Sequence, residues 1–141
     1  FEYFEGETRA WGIFQSRNGQ VKRQFTVDIR GTVNGDVLTL EEAFVYADGE
    51  TSRRVWRIRR LDKHRYEGEA DDVVGKAAGL SYGQSLNWRY RLRLPFRNST
   101  VDVEFDDWMI LQPDNVLLNR AEVRKFGFRV GEVTLFFRSE G

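Results

Sequence analysis

A two-residue beat of apolar and polar side chains, cut at short intervals by Asn-Gly and Asp-Gly, limits what this chain can fold into. Val21-Lys22-Arg23-Gln24-Phe25-Thr26-Val27-Asp28-Ile29 alternates almost without error, and so does Leu86-Asn87-Trp88-Arg89-Tyr90-Arg91-Leu92-Arg93-Leu94. Strand side chains point to opposite faces with period two, so each run has one dry face and one wet face. Asn18-Gly19, Asn34-Gly35 and Asp48-Gly49 separate the runs. Asn, Asp and Gly tolerate positive φ, which marks these dipeptides as hairpin turns. One-sided antiparallel hairpins over most of 141 residues predict a sheet wrapped around its own interior.

About ten strands are expected, near 8–16, 21–33, 37–46, 50–60, 64–70, 76–82, 85–94, 101–111, 116–125 and 132–138. The fold class is all-β, an up-and-down antiparallel barrel of about eight to ten strands, and residues 1–141 form one domain. A two-residue type I′ loop at Asn34-Gly35 places Ile29 opposite Leu40, Val27 opposite Glu42 and Phe25 opposite Phe44. Three-residue loops with bulges at Gly19 and Gly49 place Trp11 opposite Phe25, Leu40 opposite Trp56 and Phe44 opposite Ser52. All three turns then define one dry face that runs from Trp11 and Ile13 through Phe25 and Leu40 to Trp56.

Composition narrows the function. Lys+Arg and Asp+Glu both number 22, so no net field draws nucleic acid or an anionic membrane. Basic-aromatic stretches such as Arg53–Arg60 and Trp88–Arg91 put their Trp on the dry face and most of their Arg on the other, so nucleic acid is not expected as a partner. With no Cys and a single His, imidazole and thiolate metal sites are excluded, and no metal or other cofactor is expected. His64 falls in the turn Asp62-Lys63-His64, and no nucleophile elbow or phosphate-cradling glycine loop is present. Asp102, Glu104 and Asp106 share a face at strand spacing, which reads as a wet outer wall. Alternation breaks before Trp108, which predicts a bulge at Asp106-Asp107. No catalytic residue is expected, and the protein is read as no enzyme.

One position breaks the pattern. Glu42 and Arg54 fall opposite each other on the apolar face, and two charges in a dry interior are costly unless paired. They form either a structural ion bridge or a polar anchor, in which Arg54, steadied by Glu42, holds the head of an amphipathic ligand. Phe44, Trp56, Trp88 and Tyr90 are then the lining of its cavity.

Ala10-Trp11-Gly12, Asp48-Gly49-Glu50, Arg54-Val55-Trp56, Asp72-Val73-Val74-Gly75, Trp88-Arg89-Tyr90, Phe105-Asp106-Asp107-Trp108-Met109, Asn119-Arg120 and Lys125-Phe126-Gly127 occur in this order. Together with Gly131–Phe137 they resemble an uncharacterised family of proteobacterial predicted lipoproteins, a domain of unknown function, over nearly the whole chain. The resemblance implies a lipocalin-like (calycin) barrel and a periplasmic protein, membrane-anchored as a lipoprotein through a lipidated cysteine upstream of Phe1. It also implies that Trp11 and Arg138 form a pair closing the barrel bottom, as in lipocalins. The expected function is non-enzymatic binding of a fatty acid or other hydrophobic or amphipathic small molecule at the bacterial cell envelope. The alternative is an envelope scaffold with a filled barrel that acts through its surface. A ligand cavity needs roughly 300 Å³ or more.

Overall fold

The computed structural model describes residues 1–140. All ten strands form: β1 (Gly6–Ser16), β2 (Val21–Asn34), β3 (Val37–Tyr46), β4 (Thr51–Arg60), β5 (Arg65–Glu69), β6 (Ala77–Tyr82), β7 (Ser85–Phe96), β8 (Ser99–Gln112), β9 (Val116–Lys125) and β10 (Phe128–Ser139). Each pairs antiparallel with its neighbours in the chain, and β1 pairs with β10 to close the barrel. The fold is therefore the expected all-β, up-and-down antiparallel barrel. The inner face is the dry one, with Val27, Ile29, Leu38, Leu40, Trp56 and Trp88 buried in its core.

Two hairpins depart from the expected register, β2–β3 at its turn and β1–β2 along its strands, where the turn itself still places Gln15 opposite Val21 as expected. The β2–β3 loop is Gly35-Asp36, with Gly35 at φ 62° and Asn34 paired to Val37. Gly at the first central position suits a type II′ turn. The shift is two residues, so Ile29 faces Glu42 and Val27 faces Phe44, yet the inner face is unchanged. In the first hairpin the register slips between Phe14 and Gln15. That bulge turns β1 over: Gly12, not Trp11, sits opposite Phe25, and Ala10, Gly12 and Phe14 share the inward parity. Trp11 stands outside, 43% exposed, against Phe136 with Arg9 above its ring. The Trp11–Arg138 closure therefore does not form, and Arg138 is exposed beside Arg9. The expected pairings Leu40–Trp56 and Phe44–Ser52 are present.

The bulge expected at Asp106-Asp107 is absent, because β8 pairs without a slip to both β7 and β9. Alternation looks broken there because a carboxylate, Asp107, is buried and an exposed tryptophan, Trp108, follows it. Asp102, Glu104 and Asp106 do face out, paired to Arg93, Arg91 and Arg89 of β7.

The two ends differ. At one end the N-terminus crosses the barrel through a 3₁₀ turn (Glu2–Phe4). Phe1 packs on Tyr66 and Phe4 on Phe137, and the Tyr3 hydroxyl donates to the Asn115 carbonyl at 2.8 Å. The other end is bordered by hairpin tips and by residues 70–76.

Candidate functional site

Strand length makes the site. β5 and β6 are short, so β4 is paired to β5 only from Arg57 onward, and β7 is paired to β6 only up to Arg89. A wedge thus opens in the wall between the first half of β4 and the second half of β7. Residues 70–76 fill it: the Val74 N–H donates to the Arg91 carbonyl and the Arg93 N–H to the Asp72 carbonyl, both at 2.8 Å. Val73 bridges to Leu92.

Arg54 lies at this wedge. Its Nε and Nη2 donate to the Asp72 carboxylate at 2.9–3.1 Å, a bidentate pair that straps the segment to β4. Glu42 is Arg54's cross-strand neighbour, as expected, but the ion pair is made with Asp72 instead. Asp72 was not legible as a site residue because it lies outside any strand, where alternation says nothing.

The aromatic residues named from the sequence come together inside the barrel. The Trp56 ring meets Trp88 edge-on at 5.5 Å and Tyr90 at 5.2 Å, and Tyr90 stacks on Phe105 at 4.9 Å. Phe44 lies 5.4 Å below the Arg54 guanidinium. The Trp88 ring spreads over the backbones of β5 and β6, where a Cβ on Gly68 or Gly79 would come within 2.7 Å of it. The two glycines make its seat.

Across from Arg54 stand Asp107 and Asn119, both buried. Burial pushes the Asp107 carboxyl up to about 7, against the Asn119 amide and Arg54, with Asp106 and Glu42 adding to the rise. The Asn119 amide lies beside the Asp107 carboxyl and pulls its value down, yet among the described residues its Nδ2 and Oδ1, like Asp107 Oδ1, make no hydrogen bond of good geometry. Burial likewise raises Glu42 to about 7, Arg54 pulling it down and Asp72 pushing it up. The Tyr90 hydroxyl is driven well above its usual value, first by burial and then by Asp107. Glu42, Arg54, Asp72, Tyr90, Asp107 and Asn119 therefore form one polar layer that crosses an apolar interior. Asp107 and Asn119 were legible by parity, through Val103-Phe105-Asp107-Met109 and Leu117-Asn119-Ala121, but the supposed bulge hid the first.

Among the described residues, no group of three His, Cys, Asp or Glu side chains is placed to hold a metal ion. His64 is held in its turn by Asp62, stacks on Tyr82 and has Nδ1 2.7 Å from the Ser81 carbonyl. A groove of about 540 Å³ lies on the outer wall, where Trp11, Ile13, Thr26, Val45 and Phe136 line it.

A closed ten-stranded antiparallel barrel around a polar layer defines an all-β class consistent with a lipocalin-like barrel. The chain belongs to the family described as protein of unknown function (DUF3833), whose model matches residues 1–139. No curated protein and no solved structure matches it.

Proposed function

We propose that the barrel binds a hydrophobic or amphipathic small molecule, a fatty acid or other lipid, at the bacterial cell envelope, without catalysing its reaction. One observation carries this reading: buried polar atoms in the mid-barrel layer, Asp107 Oδ1 and both ends of the Asn119 amide, make no hydrogen bond of good geometry among the described residues. Each such atom costs about 1–3 kcal/mol when left unmade. A head group that both donates and accepts would satisfy them, while Trp56, Trp88, Tyr90 and Phe44 offer apolar surface to its chain. Arg54 is already engaged by Asp72, and Glu42 and Asp107 add negative charge as pH rises. The layer thus favours a neutral head group, such as a protonated acid, an alcohol or an amide, over a second carboxylate. The envelope location and a lipid anchor upstream of Phe1 rest on the sequence resemblance.

A second reading, the surface-acting scaffold, is favoured by the groove on the outer wall and by the aromatic packing inside. Native mass spectrometry of protein purified without detergent, with lipid extraction, separates the two. The binding reading expects a co-purifying small molecule that is lost in the double variant Asp107→Leu/Asn119→Leu. A bare mass with an empty extract rejects it.

A further inference from the structure

We propose that the tips of the β7–β8 and β9–β10 hairpins dock onto an anionic lipid surface. Phe126 is 85% exposed, Phe128 72% and Phe96 47%. Phe126 also occupies the first central position of a type I′ turn, at φ 52° with Gly127 at 80°. That position belongs by sterics to Asn, Asp or Gly. A bulky aromatic there is locally disfavoured and points into water, so neither the turn nor the core explains it.

Charge surrounds these rings. Lys125 Nζ lies 5.2 Å from the Phe96 ring and 5.4 Å from the Phe126 ring, which ties the two tips into one cluster, and Arg97 lies 5.2 Å from Phe96. Arg17 crowns the adjoining β1–β2 tip. Among the described residues Arg17, Arg97 and Lys125 take part in no ion pair, whereas Arg124 and Arg129 behind them are matched by Glu122 and Glu132. The chain as a whole is neutral, so this is a local excess of positive charge.

Apolar rings at the hairpin tips, Phe126 in its turn and Phe96 and Phe128 at strand ends, within a cationic collar match a surface with an apolar interior and anionic head groups. A protein partner fits less well, because three rings at hairpin tips fall short of the roughly 800 Å² per side that stable interfaces bury. The contact is confined to the tips: the walls of β7 and β8 carry the ladder Arg89–Asp106, Arg91–Glu104 and Arg93–Asp102. Phe1 lies at the opposite end, so this docking is distinct from any N-terminal anchor and does not depend on the interior being a ligand site.

The test is co-sedimentation of the unlipidated chain with phosphatidylcholine vesicles, alone or with about one third phosphatidylglycerol. The expected result is about tenfold tighter binding to the anionic vesicles, weakened by salt. Phe126→Ser/Phe128→Ser should reduce it about tenfold, and Arg97→Glu/Lys125→Glu should erase the preference for anionic lipid. Thermal melts establish that the variants fold. Equal binding to both vesicles, or unchanged binding by the Phe variant, overturns the proposal. So does absence of binding, which would leave the tips to a protein. The mass of any co-purifying ligand is expected to be the same in the tip variants, which keeps this test separate from the interior reading.

Discussion

Glu42 and Asp107 make the stability of the barrel depend on pH in an unusual direction. Both titrate near 7 in the folded chain, above their ordinary values of 4.5 and 3.8. Between those values the folded state holds more protons than the unfolded one, so stability falls as pH rises through 7 and then levels off. Asp62, held down to about 2, changes the balance only in more acidic solution. Urea denaturation should therefore show higher stability at pH 5 than at pH 8, by on the order of 2–4 kcal/mol, and Glu42→Gln with Asp107→Asn should remove most of the difference. Phe126 is the other residue out of keeping with its place. Phe126→Asn should stabilise the fold by about 1 kcal/mol, read as a shift in the urea midpoint, because Asn tolerates the left-handed region. Parity along the strands was enough to bring Glu42, Phe44, Arg54, Trp56, Trp88 and Tyr90 together. It was not enough to pair Arg54 correctly, because its partner comes from a segment with no period.

Among the elements, the segment 70–76 and the seat of Trp88 are the most exposed to single changes. Asp72→Asn removes the charge that holds Arg54, so amide exchange at Val74 and Arg93, whose N–H groups fasten the segment, should quicken while the rest of the sheet stays protected. Gly68→Ala or Gly79→Ala forces a methyl to within 2.7 Å of the Trp88 ring and should cost about 1–3 kcal/mol, measurable by thermal melting. The existence of every strand was legible from alternation and turn residues, and the register was legible only in part. A bulge at Phe14-Gln15 leaves no mark in the composition of β1, since Trp11 and Ile13 alternate as cleanly as Ala10, Gly12 and Phe14 would. Small inner residues there make room for side chains from neighbouring strands: a Cβ on Gly12 would collide with Phe25 and Leu135. Hydrophobicity favoured the larger pair, and packing chose the smaller.

At the scale of the molecule, every pairing in the sheet but one, among the described residues, joins strands consecutive in the chain; the exception is β1 with β10. The Glu140 amide donates to the Glu7 carbonyl at 2.9 Å, so the first and last strands lie side by side over most of their length. Hairpins can form as they emerge from the ribosome, but β1 has to wait with one edge unpaired until the final strand has been made. Closure is then the long-range step on which the folding rate depends. A chain cut short before Phe128 would keep nine strands and two open edges, with Trp11 beside one of them, and it should aggregate rather than circulate as a smaller barrel.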